Sequence, residues 1–331
     1  MTIDTTDLSY WLNWRFFICV CYVVIVIVGA SFVIWKYEGS GSSNSKSRRK
    51  KSDNQLPGGY LHKDEMWKTS RTVIHPAWLL AYRLCAFIGL LAILITNISV
   101  EGFRALYFYT QWTFALVTLY FGVGSAISVY GCRKNCSRLI RDQIGYVPSN
   151  AEKRSAYDAV PQDADANVSS IEKDDDILKV SCDQSAADFL GYSFQAIFQV
   201  AAGASMLSDS VFWCLIYPFI LPESFHLHFL VVSMHSFNAL FLIGDAFLNC
   251  LRFPFFRIAY FALWTIIYVI FQWIIHACFS MWWPYPFLDL SSPYAPAWYL
   301  AIGLIMLPCF GIFALIMKLK DFLLSKFPES E

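Results

Sequence analysis

The sequence predicts an all-α polytopic membrane protein, a bundle of about seven transmembrane helices. Three observations predict this fold class. Apolar residues make up 57% of the chain and charged residues 15%, whereas soluble domains have about 45–50% and about 25%. The apolar residues collect into seven stretches, each long enough to cross a bilayer core of about 30 Å. The basic residues lie almost entirely in alternate connections between those stretches.

The predicted spans are runs of roughly 20 or more residues, the length that a membrane-crossing helix needs. They cover residues 16–35, 78–98, 106–130, 192–217, 228–250, 258–281 and 298–317. The first span is too long for the apolar part of a cleaved signal peptide, and no basic segment precedes it. We therefore expect it to be an uncleaved anchor. No Gly/Pro pair interrupts a span at mid-membrane, which counts against a transporter.

These spans divide the chain into six regions. They are an N-terminal tail and anchor (1–35), a basic Ser-rich cytosolic loop (36–77), spans 2 and 3 (78–130), an acidic cytosolic loop (131–191), spans 4 to 7 (192–317) and a cytosolic tail (318–331). We expect both long loops to be disordered: residues 36–59 have too little apolar surface to fold alone, and the acidic segment 146–188 is expected to be a solvated linker.

The basic residues predict the orientation of the bundle. Of 25 Lys and Arg residues, 22 fall in the two long loops, the short turn 251–257 and the tail, whereas Arg15 and Arg104 lie on the opposite side. Positive charge favours the cytosolic side. We expect a lumenal or extracellular N-terminus and a cytosolic C-terminus, in the endoplasmic reticulum, another endomembrane or the plasma membrane. The sequon at Asn167 should then carry no glycan.

Several classes of function are excluded by what the sequence lacks. The net charge is zero, so there is no basic footprint for nucleic acid. No Gly-rich phosphate loop, nucleophile elbow or HExxH pattern occurs, and we expect no cofactor and no metal. Cys132 and Cys136 have no second ligand pair at zinc spacing; after a span they are palmitoylation candidates or ordinary thiols. Membrane lipids are the expected partners, and nothing in the sequence indicates the oligomeric state.

Two of the ionisable residues inside the spans predict an ion pair. Arg83 and Asp245 each lie five residues in from the cytosolic end of a span, which is roughly 8 Å deep at 1.5 Å per residue. An unpaired charge at that depth is expensive. We therefore predict that the two side chains pair as a structural element.

A second set of polar residues gathers towards the lumenal side. Asp209, His235 and His276, with Thr110 and Thr113 of span 3, lie roughly 6–12 Å below that surface. A hydroxyl, a His and an acid can form a nucleophile, base and orienting group. Each also has a simpler interpretation: Thr in a helix often bonds to its own i−4 carbonyl, and intramembrane His and Asp also relay protons.

Three segments in these spans resemble a known family. They are FYTQWTFALVTLYFG in span 3, MHSFNALFLIGDAF in span 5 and YVIFQWIIHACFSMWWPYPFLDL at the end of span 6. Over roughly residues 78–317 the chain is similar to the rolling-stone-like and androgen-induced-gene family of multi-pass membrane proteins. Its basic N-terminal extension resembles plant members.

The resemblance implies a possible enzymatic site. Some members hydrolyse fatty acid esters of hydroxy fatty acids with an intramembrane Thr nucleophile and a His, and Thr110 and His235 match those positions. Asn238, Asp209 and His276 are the supporting residues from which an orienting group or an oxyanion donor would come.

Two other functions stay open at this stage. Gln111, Trp112 and Asn238 are closer to the rolling-stone branch, which is associated with myoblast fusion, so a non-enzymatic membrane organiser is the alternative to a lipid-ester hydrolase. A proton-coupled transporter is the third reading. An apolar cavity joining Thr110 to His235 would favour the enzyme.

Overall fold

In the computed structural model, the described residues (4–39, 66–71, 74–145, 169–222 and 224–326) form ten α-helices. They are α1 (Leu8–Trp11), α2 (Trp14–Ile34), α3 (Pro76–Glu101), α4 (Tyr109–Gly145), α5 (Ser169–Val211), α6 (Tyr217–Phe219), α7 (Phe229–Met234), α8 (Phe237–Leu248), α9 (Ile258–Cys278) and α10 (Ala295–Lys326). Short 3₁₀ turns occupy Gly102–Tyr107, Phe255–Arg257 and Pro286–Leu288, and π-helical turns occupy Trp35–Gly39 and Phe212–Ile216.

Within the described residues, seven helical segments are long and apolar enough to cross a membrane, which confirms the predicted all-α seven-span fold. They are Trp14–Glu38, Pro76–Tyr107, Tyr109–Ser137, Phe189–Phe219, Phe229–Leu248, Phe255–Cys278 and Ala295–Lys326. The chain is therefore an integral membrane protein. Its orientation and its particular membrane remain predictions.

The connections lie alternately at the two ends of the bundle. At the end that we call the N-terminal face, Thr5 Oγ1 donates to Phe279 O at 3.4 Å and Arg15 Nη1 to Ser291 O at 2.8 Å. The opposite end, the C-terminal face, includes Arg257, whose Nε donates to Glu38 Oε1 at 2.9 Å. These hydrogen bonds join segments that are far apart in the sequence at each end of the bundle.

Helices α4 and α5 form the centre of the bundle. In the most apolar window of the third span 56% of the residues are buried, against 17% in the first span. Phe114 and Phe121 of α4 pack with Phe198 of α5 in one core cluster. Val28 of α2 is 62% exposed, as lipid contact allows. Apolar surface of this extent outside the core is expected of a membrane-facing helix.

The helices run further into the connections than predicted. Helix α4 continues to Gly145 and α5 begins at Ser169, so both ends of the region 131–191 are helical. Polar and charged residues such as Arg, Lys, Gln and Glu are good helix formers, so a helix does not have to end where the apolar run ends. The rest of that loop, including Asn167, lies outside the described residues.

The end of the basic loop packs against the bundle. Met66 and Trp67 are buried in the core cluster, and Ser70 donates through its N–H to Leu248 O and through its hydroxyl to Phe247 O, both at 2.8 Å. Residues 40–65 of the predicted loop lie outside the described residues. The region 36–77 therefore contains a packed segment next to the second span, which its composition did not indicate.

Candidate functional site

Thr110 lies at the start of α4, where the helix cannot satisfy its hydroxyl. The carbonyl four residues earlier, Leu106 O, precedes the helix and accepts the indole N–H of Trp112 at 2.8 Å. Thr118, deeper in the same helix, donates to Phe114 O at 2.8 Å. Thr110 makes no such bond. The N–H groups of the first helical turn are also left without helical acceptors and carry partial positive charge.

His235 lies at a break in the fifth span. Helix α7 ends at Met234 and α8 begins at Phe237, and Ser236 between them has φ −147° and ψ −41°. The span is thus interrupted without Gly or Pro, contrary to the prediction of an unbroken helix. The His235 ring stacks on Phe212, with centroids 3.7 Å apart. Phe212 belongs to the π-helical turn of the fourth span, and such turns are frequent at functional sites.

Thr110 and His235 line one cavity of about 430 Å³. No hydrogen bond joins the two side chains in the described structure. The wall is mostly apolar and comes from α3, α4, α5, α7, α9 and α10 and from the connections at the N-terminal face. Its apolar residues include Leu207, Val211, Phe212, Ile216, Val231, Met234, Val269 and Ile302. The volume falls within the range of ligand sites, about 300–1,000 Å³.

Ser208 and Tyr285 complete the surroundings of Thr110. Ser208 Oγ donates to Thr110 Oγ1 at 3.2 Å. Burial raises the pKa of the Tyr285 phenol, and the Thr110 side chain and the N–H groups of Thr110 and Tyr109 counteract that rise, so the phenol faces the first turn of α4. Tyr285 belongs to a segment that carries the family resemblance, but nothing in the sequence assigned it a role. No sequence motif singled out Ser208, which is one of several serines in the fourth span.

Asp209 and Asn238 contact each other and do not line the cavity. Asn238 Nδ2 donates to Asp209 Oδ1 at 3.1 Å. Asp209 Oδ2 and His235 Nδ1 are buried and have no hydrogen-bond partner among the described residues. Asn238, the nearest of the three supporting candidates if the span were one continuous helix, makes no hydrogen bond to His235. The break at Ser236 removes the regular i, i+3 relation on which that prediction depended.

Thr113 and His276 lie apart from this constellation. Thr113 is fully buried and its Oγ1 has no partner. His276 Nε2 lies 2.8 Å from the Tyr107 hydroxyl, and its ring stacks on Trp283 with centroids 3.6 Å apart. Neither residue lines the cavity. Residues predicted to lie at the same depth are therefore on different sides of the bundle. Depth can be counted along the sequence, but lateral position cannot.

Arg83 and Asp245 form an ion pair in the C-terminal half of the bundle. Both side chains are fully buried, and Arg83 Nε donates to Asp245 Oδ1 at 2.8 Å. Tyr120 also donates to Asp245, as does Asn249 Nδ2, at 2.7 Å. Arg83 Nη1 donates to Met66 O at 3.1 Å, which attaches the packed end of the basic loop. The predicted pair is therefore one part of a larger buried network.

Cys132 and Cys136 lie on the last described turns of α4 at the C-terminal face. Both are free thiols; Cys132 is half-buried and Cys136 is exposed. Nothing in the structure tests their acylation, which remains a prediction.

No family model, curated protein or solved structure matches this chain. The family resemblance therefore remains a prediction.

Proposed function

We propose that this membrane protein hydrolyses lipid esters, with Thr110 as nucleophile and His235 as general base. The observation that carries the proposal is the shared cavity, which both side chains line. The resemblance to the rolling-stone-like and androgen-induced-gene family suggests the substrate class, fatty acid esters of hydroxy fatty acids.

The surroundings of Thr110 suit a nucleophile better than a structural hydroxyl. Its hydroxyl is not bonded to its own helix; it accepts a bond from Ser208 of α5 and lies next to the Tyr285 phenol. A packed Thr110 bonded to a helical carbonyl would have favoured the membrane organiser. The apolar wall offers an acyl chain a lipid-like surface, and the cavity lies near the N-terminal face, from which water can reach an ester carbonyl.

The reaction requires two acyl transfers. Thr110 Oγ attacks the ester carbonyl carbon while His235 takes the hydroxyl proton, and His235 then returns that proton to the departing alcohol oxygen. Water, deprotonated by the same imidazole, then attacks the Thr110 ester; the bond from the acyl carbon to Thr110 Oγ breaks, His235 returns the proton to Oγ, and the fatty acid leaves. Negative charge develops on the carbonyl oxygen in each transfer, and the positive end of the α4 helix dipole at Thr110 is suited to stabilise it.

A proton-coupled transporter is the second candidate, and one observation favours it. The fifth span is broken at His235, and transporters frequently bind their substrates at broken helices. The unpartnered Asp209 Oδ2 and His235 Nδ1 would then serve as proton sites. This candidate gives Thr110 no necessary role, so one substitution distinguishes the two functions.

Labelling with a fluorophosphonate probe tests the enzyme. Purified full-length protein should be labelled and should hydrolyse a fatty acid ester of a hydroxy fatty acid. Thr110→Ala should abolish both, and His235→Ala should be about as damaging, with a loss of at least about a thousandfold. Thr113→Ala, whose hydroxyl faces no cavity, should keep most of each activity. Full hydrolysis by well-folded Thr110→Ala protein would contradict the assignment.

A further inference from the structure

A second cleft opens on the N-terminal face, beside the cavity of Thr110. Its volume is about 1020 Å³, and Pro286 is the one residue that it shares with the first cavity. Its walls come from the N-terminal segment, the 3₁₀ turn Gly102–Tyr107 and the connection between α9 and α10. The reaction proposed above uses none of these walls.

This cleft contains one cation and one anion that are not paired with each other. Arg104 is exposed and makes no hydrogen bond or ion pair with any described residue. Asp289 Oδ1 accepts bonds from the Tyr10 hydroxyl and from Ser291 N–H, each at 2.8 Å. Asp289 Oδ2 accepts none within the described part of the chain. Both charged groups are thus able to bind a ligand with two opposite charges.

Aromatic side chains line the same cleft as the two charges. Trp282 is 58% exposed, and its ring meets Tyr107 edge-on with centroids 5.6 Å apart. Trp283 lines the same cleft and is held by its stacking on His276. The electron-rich faces of Trp rings attract quaternary ammonium groups.

The cleft passes from a polar to an apolar zone along the bundle axis. Arg104 and Asp289 lie beyond the helix ends, whereas Phe271 and Ile275 line the cleft from within α9, one turn apart. Phe103 and Phe279 beside it are 89% and 64% exposed. Aromatic residues at helix ends typically mark the membrane–water interface. The ligand must therefore have its charges at the headgroup level and its apolar part in the bilayer.

We propose that this cleft binds a zwitterionic phospholipid with a choline headgroup. Arg104 holds the phosphate, because a guanidinium donates two parallel hydrogen bonds to phosphate oxygens. Asp289 and Trp282 face the trimethylammonium group, and an acyl chain lies along Phe271 and Ile275. A phospholipid with an uncharged glycerol headgroup keeps the phosphate contact and loses the second one.

The test measures binding of dihexanoyl phosphatidylcholine and dihexanoyl phosphatidylglycerol to the full chain in amphipol. The wild type should bind phosphatidylcholine more tightly. Arg104→Gln should weaken both ligands about tenfold, the effect of about one charged hydrogen bond. Trp282→Leu should weaken phosphatidylcholine alone. Arg133→Gln, an equally exposed arginine at the C-terminal face, is the matched control and should change neither.

Two outcomes would overturn the proposal. One is equal binding of the two phospholipids by the wild type, and the other is an Arg104→Gln protein that binds as the Arg133→Gln control does. Both substituted side chains are exposed, so folding is not at risk. Thr110→Ala protein should bind phosphatidylcholine as the wild type does, which separates this site from the proposed hydrolase.

Discussion

The bundle contains two buried polar clusters that differ in how far their hydrogen bonds are satisfied. In the C-terminal half, Asp245 accepts bonds from Arg83, Tyr120 and Asn249. In the N-terminal half, Asp209 accepts one bond, from Asn238, while its Oδ2 has no partner. The first cluster does not line the cavity of Thr110 and His235. The second lies next to the cavity of Thr110 and His235.

This difference separates polar groups that hold a membrane protein together from groups that are available for chemistry. Buried polar groups are normally hydrogen-bonded, and each exception needs an explanation. A satisfied network fixes three spans and the segment at Met66 in one arrangement. The network at Asp209 lies next to a helix break and a π-helical turn. Its polar atoms without partners can still form hydrogen bonds with a ligand or with water. Ionisable residues within a membrane are thus not equally indicative of function.

The largest expected effect on stability comes from breaking the satisfied cluster. Asp245→Asn leaves the Arg83 charge buried without its counter-ion, which should lower the free energy of unfolding by about 3–5 kcal/mol. Equilibrium unfolding in detergent measures it. In the double variant Arg83→Gln/Asp245→Asn no charge stays unpaired, and most of the loss should be recovered. A single variant as stable as the wild type would show that the pair is not a structural element.

The ion pair and the fold were readable because they depend on position along the chain. Depth follows from counting residues, and both members of the pair lie equally far from a span end. The charge bias and the apolar runs similarly define seven crossings. These quantities require no knowledge of which helices are neighbours.

The candidate site was only partly readable because it depends on lateral packing and on local helix geometry. Thr110 and His235 came from the resemblance, and the structure brings them to one cavity. His276 and Thr113 lie at similar depth but on other sides of the bundle. Asn238 was assigned to His235 on the assumption of a continuous helix, which the break at Ser236 contradicts. No Gly or Pro occurs at this position, so the sequence did not predict the break.

An intermediate effect is expected from the hydroxyl that contacts Thr110. Ser208→Ala removes the bond from Ser208 Oγ to Thr110 Oγ1 and should lower kcat/KM for the lipid ester by about tenfold, the upper range for a neutral hydrogen bond. Ser205→Ala, one turn earlier on α5, is the matched control: Ser205 is fully buried, its Oγ has no partner, and it does not line the cavity. Equal activities of the two variants would remove Ser208 from the site.

The smallest effect is expected from the same isosteric change made in the unsatisfied cluster. Asp209 has no ion-pair partner among the described residues and accepts a single bond, from an amide. Burying a carboxylate with so little compensation is unfavourable. Asp209→Asn therefore removes the desolvation cost of the buried charge, while the neighbouring Asn238 can still donate a hydrogen bond to the new amide oxygen. We expect the free energy of unfolding to change by less than about 1 kcal/mol or to rise. The assay is the detergent unfolding used for Asp245→Asn, with both variants compared in parallel.

A loss of unfolding free energy for Asp209→Asn as large as that for Asp245→Asn would mean that the two clusters do not differ in kind. Asp209 would then be a structural residue whose second oxygen has a partner in the native membrane, such as an ordered water.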